Sequence, residues 1–469
     1  MIEFSITNEA YKKDLEELIR PFEQKFFGDI SLAVDYENDG QEMTVRLKSN
    51  HLDNFEKTYR FKFLSSDNLE YKRNEKRFLK IAVYRTLSFL TGVNLPYGCL
   101  TGIRPTKLYL EIEKEQDKYG KSARDVFAED YSVSGKKIEL IEKTVNVQRN
   151  LRNCDENSFD VFVFIPFCPS RCAYCTFVSS PIDKKRKQLE PYTDCLCAEL
   201  EETRKLVADR KYKIRSVYIG GGTPTSLPLE LLDRILTACH FGAQEFTVEA
   251  GRPDTISREV IALLKKHKVT RLSINPQTFN DDTLKKIGRN HTSNDIDVAY
   301  KLAKGKFDIN MDLIAMLPDE TFEDFKNTVD KAILYSPENI TVHTLYLKKG
   351  SDLEHQGYDN ADCELAGEMV DYAYRVLTEN GYLPYYMYRQ KYTSGNLENI
   401  GYAKLGKECI YNIDTMEEDT SILACGANAI SKKWTKEINL IERNANFKEP
   451  LEYIKHFDTV LERKKNFWS

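Results

Sequence analysis

Cys168, Cys172 and Cys175 stand in one short stretch, Phe162-Val-Phe-Ile-Pro-Phe-Cys-Pro-Ser-Arg-Cys-Ala-Tyr-Cys-Thr-Phe177, directly after an apolar run. Three thiolates at this spacing can face one point if the backbone loops back on itself, and soft sulfur ligands select zinc, copper(I) or iron–sulfur clusters. A structural zinc closes its tetrahedron with four protein ligands, whereas a reactive metal site keeps one position open. No nearby residue closes this set, since His240 lies far downstream and Cys154 precedes the apolar run. A cubane cluster held by three cysteines would leave one iron open to an outside ligand. The alternative is a structural zinc with Cys195 or Cys197 as fourth ligand. Those two stand at i and i+2 of an expected helix, and so point to different faces.

Further residues of chemical interest follow expected strands. Ile219-Gly-Gly-Gly-Thr-Pro-Thr225 lies between a strand and a helix, where glycines let the backbone approach a ligand and offer amides to a carboxylate or ribose. It has neither the Gly-Lys-Ser/Thr ending of a phosphate loop nor a full dinucleotide fingerprint. Glu249 ends the strand Phe-Thr-Val-Glu; Gln277 and Asp312 take equivalent places, against the plain reading of exposed strand-end polar residues. Asp312, between Met311 and Leu313, needs a partner if its strand is buried, and Arg289 is the cation expected to supply it. The loop Tyr97–Lys107 reads first as a turn between helices; the sharper reading aims Arg104 and Lys107 at a carboxylate or phosphate. Lys184–Lys187 is a basic run whose ordinary role is a solvated loop, although beside the cysteines it would steer an anion.

The elements that must position these residues follow from periodicity. From about Ser158, strands (Val161–Ile165, Ser216–Ile219, Glu245–Ala250, Arg271–Asn275, Phe307–Ile314, Asn339–Leu347) alternate with helices (Tyr192–Asp209, Leu229–His240, Ile256–His267). That rhythm predicts an α/β fold with a parallel sheet, in which functional residues gather after the strands' C-terminal ends. Before it, residues 1–152 read as an α+β domain: a helix through Tyr11, Leu15 and Phe22, three alternating strands, and a helix from Asn68 that stops at Gly92. Residues 153–380 form the expected barrel core. Residues 381–469 read as an irregular aromatic cap ending in an amphipathic helix, Leu451–Arg463.

At 469 residues, more than one domain is expected. The composition, 41% hydrophobic and 30% charged, is that of a soluble globular protein, and a net charge of -5 gives no global basic surface for nucleic acid. No apolar run approaches the roughly 20 residues that span a bilayer, and no secretion signal opens the chain, so a cytoplasmic protein without membrane or nucleic-acid partners is expected. Eleven cysteines are too sparse for a disulfide scaffold. Cys99, Cys154, Cys239, Cys363, Cys409 and Cys425, standing alone, read as small buried hydrophobes.

The Cys-x3-Cys-x2-Cys spacing with Tyr174 before the last cysteine resembles the radical S-adenosylmethionine (SAM) signature, and the glycine run matches, in the right order, the motif of that family that binds the methionyl amino group. From Phe162 to Gly350, and more loosely over the last third, the chain resembles the oxygen-independent coproporphyrinogen III oxidase family. Thr101–Lys107 and Tyr388–Tyr402 further resemble its longer HemZ subgroup, in which the whole chain would match. The resemblance implies a radical SAM partial (β/α) barrel with an N-terminal α+β domain and a C-terminal cap. It implies a [4Fe–4S] cluster on Cys168, Cys172 and Cys175 and one or two SAM molecules. Position by position, Phe162, Gly221 and Glu249 match contacts to the first SAM; Tyr174, Gly222, Thr223, Gln277, Arg289 and Asp312 match contacts to the second. No catalytic side chain is assigned.

The activity implied is oxidative decarboxylation of coproporphyrinogen III propionates to vinyl groups, giving protoporphyrinogen IX in haem biosynthesis. The reduced cluster passes one electron to SAM, the resulting radical takes a hydrogen from a propionate β-carbon, and carbon dioxide and an electron leave. The implied partners are a tetrapyrrole substrate and a low-potential electron donor of flavodoxin or ferredoxin type. Two positions depart from the oxidase pattern: Phe177 stands where the bacterial oxidase has a further cysteine, and Phe162 where a tyrosine is usual. The first departure resembles the haem-chaperone relatives, so a haem-handling radical SAM protein is the second reading.

Overall fold

The computed structural model describes residues 2–469 apart from 53–54, 64–67, 103, 154, 176–178, 348–350, 359–361 and 391–392. Cys154 and Phe177, both singled out in the sequence, lie outside the described residues. The chain packs as two units, the larger made of Val147–Asp359, Glu368–Tyr386 and Asn399–Ser469, and the smaller of Met1–Asn146, Asn360–Gly367 and Met387–Glu398.

In the larger unit six strands pair in parallel in chain order: Ser158–Ile165, Lys213–Gly221, Glu245–Glu249, Arg271–Ser273, Asp308–Ala315 and Asn339–Thr344. Side chains alternate across a strand, so each of these strands serves two environments. Val161, Val163, Ile165, Val217, Ile219, Phe246, Val248, Leu272, Ile309 and Met311 join one core with Leu196, Leu200, Leu232, Ile235 and Leu264 of the crossover helices. The alternate positions, Phe162, Phe164, Tyr218, Gly220, Glu249 and Asp312, are left for the other face. This is the partial (β/α) barrel.

Of the stretch 381–469, expected to form a cap, Asn399–Ser469 extends the larger unit's sheet on both sides. Glu398–Ala403 pairs antiparallel with Asn339–Thr344, and Ser421–Cys425 pairs in parallel with Ser158–Ile165. The hairpin Ile430–Thr435 and Leu440–Ala445 follows, and the chain ends in helices Pro450–Lys455 and Phe457–Trp468. The first crossover helix runs Arg186–Arg210 and begins before the expected Tyr192, with Pro191 inside it. Proline usually marks a helix start because it lacks an N–H, and here the helix accepts it five residues in.

The smaller unit carries a four-stranded sheet in chain order, Ile2–Ile6, Ile30–Asn38, Glu42–Ser49 and Phe55–Lys62. The expected three strands are present, and Ile2–Ile6 adds a fourth in parallel with Ile30–Val34. Helix Lys12–Glu23 buries Leu15, Leu18, Ile19 and Phe22, and helix Asn68–Thr91 stops at Gly92, whose φ of 71° only glycine adopts at little cost.

A buried polar hub ties the last helix to the barrel. Glu199, 0% exposed, accepts from the Gly426 amide at 2.8 Å, the Tyr453 hydroxyl at 2.6 Å and the Lys464 ammonium at 3.0 Å. Lys464 also donates to the Ala424 carbonyl and the Thr203 hydroxyl. Removing one partner of a buried, hydrogen-bonded ion pair strands the other. Glu199→Ala should therefore cost about 3–5 kcal/mol in denaturant unfolding, and a loss no larger than that of an exposed pair would show the hub to be slack.

Candidate functional site

Two sequence motifs meet through backbone. Past the strand Ser158–Ile165, the Gly222 amide donates to the Ile165 carbonyl and the Thr223 amide to the Phe167 carbonyl, both at 2.7 Å. A Cβ on Gly222 would fall 2.4 Å from the Phe167 oxygen, which is why no larger residue fits. The Gly221 amide donates to the Glu249 carboxylate. The amides expected to meet a ligand are thus used internally, so the glycine turn's first task is to lock the cysteine loop and Glu249 together.

The loop itself is pinned at several points. Phe167–Cys168 pairs with Ser180–Pro181, the Ala173 amide donates to the Ile287 carbonyl at 3.0 Å, and the Ser170 hydroxyl donates to the Gly288 carbonyl at 3.2 Å. Cys172 acts electrostatically on Cys168, and Cys172 and Cys175 both act on the Tyr174 hydroxyl, so the three sulfurs share one space. Among the described residues no three His, Cys, Asp or Glu side chains converge tightly enough for a single ion. A cubane asks less, since its three thiolates bind separate corners. Burial raises the Cys168 thiol above its ordinary value, and coordination is what deprotonates such a thiol outright. Cations stand ready for the charge: Arg252 Nη1 lies 4.0 Å from Cys172 Sγ, and Arg289 also contacts that sulfur. The residues present therefore fit a [4Fe–4S] cluster. They do not fit the zinc alternative, because Cys195 and Cys197 lie on helix Arg186–Arg210 and pack against the barrel core. Cys99, Cys239, Cys363, Cys409 and Cys425 are buried thiols, as expected.

The remaining candidates line the inner face. Phe162 stacks at 5.9 Å on Tyr411, which stacks at 4.5 Å on Tyr218. Phe162 brings no hydroxyl, and the neighbouring Tyr218 hydroxyl donates to Glu249. Burial, with the Asp312 carboxylate nearby, pushes Glu249 up to about 8, so at neutral pH it is mostly a neutral acid. Gln277 holds a left-handed backbone at φ 66° because its amide reaches back to the Asp312 carbonyl at 2.9 Å. Its side-chain oxygen and that of Asn275 are buried acceptors without a protein partner, which a ligand's donors would satisfy.

One expected pairing is overturned. Arg289 does not meet Asp312: its Nη1 donates to the Asn275 carbonyl at 2.5 Å and the Gly251 carbonyl at 3.2 Å, and its Nε to the Tyr174 hydroxyl at 3.2 Å. Asp312 instead accepts from the Asn310 amide at 2.8 Å and lies 3.9 Å from His343 Nε2. His343 and Arg252 were not singled out in the sequence. The signal for His343 was the alternation Asn339, Thr341, His343 on one strand face, and for Arg252 the Arg-Pro-Asp that follows a strand end. Arg104 stands at the N-terminal end of helix Pro105–Lys114 in the smaller unit without a side-chain capping hydrogen bond, Lys107 lies in that helix's first turn, and Arg171 is exposed on the cysteine loop.

The raised Glu249 carries a pH signature. In the unfolded chain this proton leaves near pH 4.5, and in the folded chain near 8. The group's contribution is therefore fully present below the lower value and is lost as pH rises to the upper one. Glu249→Gln removes that loss, so the variant's melting temperature should gain on the parent's steadily from about pH 5 to pH 8. A gap that stays constant with pH would show Glu249 to be ionised in the fold.

Residues 162–332 match the Radical SAM superfamily. The oxygen-independent coproporphyrinogen-III oxidase-like protein HemZ of Bacillus subtilis (strain 168) is 35% identical over 453 residues, covering 93% of this chain and 89% of the relative. The heme chaperone HemW of Lactococcus lactis is 34% identical over 48% of this chain and 60% of its own length. Among solved structures, the coproporphyrinogen III oxidase HemN of Escherichia coli superposes with a TM-score of 0.53 at 22% identity, over 68% of this chain and 73% of that one, a likeness of fold. The matched segment begins at Phe162, in the strand that leads to the cysteine loop. The chain belongs to the radical SAM superfamily, whose members use a [4Fe–4S] cluster and SAM, and within it to the oxygen-independent coproporphyrinogen III oxidase-like family together with HemZ.

Proposed function

We propose that this chain is a radical SAM oxidoreductase of tetrapyrrole metabolism that converts propionates of coproporphyrinogen III to vinyl groups, giving protoporphyrinogen IX. The observation that carries the reading is the junction of the cysteine loop, the glycine turn and Glu249 beyond the ends of parallel strands, in a chain alike over its length to an oxidase-like relative. When bound, the cluster and SAM supply the one-electron chemistry and the hydrogen-abstracting radical. Cys168, Cys172 and Cys175 hold the cluster. Phe162, Gly221 and Glu249 face the first SAM, and Tyr174, Gly222, Thr223, Gln277, Arg289 and Asp312 a second. In these roles Glu249, neutral at pH 7, both donates and accepts, and the open acceptors of Gln277 and Asn275 orient a ligand's donors. Arg171, exposed on the loop, is a candidate for a remaining carboxylate of the substrate.

The setting we infer is the cytosol, with a low-potential flavodoxin or ferredoxin as electron donor. The described cysteines are free thiols, as a reducing compartment would keep them.

A second reading, a haem-handling protein or haem-modifying enzyme, is favoured by Phe177 at the oxidase's extra cysteine position and by the relatives named heme chaperone. Anaerobic turnover of coproporphyrinogen with SAM and a reductant should yield vinyl product. SAM cleavage without it, with a Soret shift on haem titration, would favour the second reading. The reconstituted chain should carry about four irons, and Cys172→Ala should lose them together with the brown colour. A colourless parent chain would remove both readings.

A further inference from the structure

Arg252 has no place in the family's matched contacts, yet it is among the most constrained cations of the barrel. It is 2% exposed. Its Nε and Nη2 are both held by the Asp254 carboxylate at 3.1 Å, a fork that fixes the guanidinium plane. The remaining nitrogen, Nη1, is thereby aimed at the cysteine loop, 2.9 Å from the Ser170 hydroxyl and 4.0 Å from Cys172 Sγ. Ser170 passes the contact on to the Gly288 carbonyl. His291 lies 3.9 Å from Asp254, and burial, with Arg289 and Arg252 beside it, pulls its pKa down to about 4, so it adds no charge at neutral pH. The arrangement is an oriented charge pair with its positive end toward one sulfur and its negative end away.

We propose that Arg252 is a positioning residue that fixes Cys172 at its corner of the cluster and biases the cluster toward its reduced state. The inference rests on the reading that Cys168, Cys172 and Cys175 hold a [4Fe–4S] cluster. Reduction adds one electron, delivered by a low-potential one-electron reductant, and makes the cluster one unit more negative without breaking a bond. A cationic N–H beside a ligating sulfur stabilises that extra charge, and hydrogen bonds to the sulfurs are among the factors that set such potentials. Asp254 serves Arg252 twice, by aiming it and by partly cancelling its charge, which gives the idea an opposite-sign test.

The parent, Arg252→Met, Arg252→Lys and Asp254→Asn would be reconstituted with iron and sulfide. Iron content and visible absorbance come first, then dithionite titrations followed by electron paramagnetic resonance. Arg252→Met should lower the reduced-to-oxidised ratio at fixed potential about tenfold, a midpoint shift of about 59 mV to the negative for one electron. Arg252→Lys should fall by clearly less, and Asp254→Asn should rise. An unchanged midpoint in iron-replete Arg252→Met, or an equal fall in Arg252→Lys, would overturn the proposal. Should Arg252→Met fail to hold iron, a midpoint in Asp254→Asn that does not rise overturns it equally. A parent chain that binds no iron instead removes the cluster reading on which the proposal stands.

Discussion

The two backbone hydrogen bonds from Gly222 and Thr223 to the carbonyls of Ile165 and Phe167 are the constraint on which the rest of the site depends. They join the ends of neighbouring parallel strands at the point where one becomes the cysteine loop and the other the glycine turn. The approach is closer than any side chain would allow, as the 2.4 Å from a notional Cβ to the Phe167 oxygen shows. Because the turn is held there, the Gly221 amide is aimed at Glu249, and a third strand joins the assembly. Three segments far apart in sequence thus have their relative places set by main-chain atoms, which leaves the side chains free for chemistry.

The barrel was legible because its strands carry two alternating patterns at once, apolar toward the helices and mixed toward the inside. The residues that announce chemistry by local spacing, the three cysteines and the glycine run, were legible for the same reason. What escaped depends on partners remote in sequence. Ser421–Cys425 could not be assigned to the barrel from its own residues, since its place is fixed by pairing with Ser158–Ile165. Ile2–Ile6 is too short to show a period. Arg252 and His343 escaped because a single charged residue after a strand becomes informative only when its neighbours are known.

Inside the barrel most buried charges are answered directly, Arg271 by Glu245 at 3.2 Å and Arg215 by Asp414 at 2.8 Å. The acids Glu249 and Asp312 are different. The Asp312 carboxylate raises the cost of ionising Glu249, and the nearest basic group, His343, has its own pKa lowered by burial. An uncharged interior resolves this by keeping a proton on Glu249. A cationic ligand resolves it another way, by stabilising both carboxylates. SAM carries a sulfonium and an ammonium, so this pair of acids is chemically suited to the cofactor that the family uses.

The misplaced pairing of Arg289 with Asp312 bears on the same balance. Had they met, each would have neutralised the other, and the site would have been electrically flat. Instead the carbonyls of Asn275 and Gly251 hold Arg289 as neutral acceptors, so its charge is not cancelled where it stands beside Tyr174 and Cys172. Asp312 is likewise left to act on Glu249. Arg289, and Arg252 with its charge partly offset by Asp254, therefore stand at the sulfur loop, and Glu249 and Asp312 at the glycine turn. This separation costs solvation energy in a buried setting, and it is tolerable only when each side is satisfied by neutral hydrogen-bonding partners or by a bound group of opposite charge. Thiolates on a cluster answer the first side and a cationic cofactor the second, so the pattern of charge in the bare chain is the complement of the two groups that the family binds.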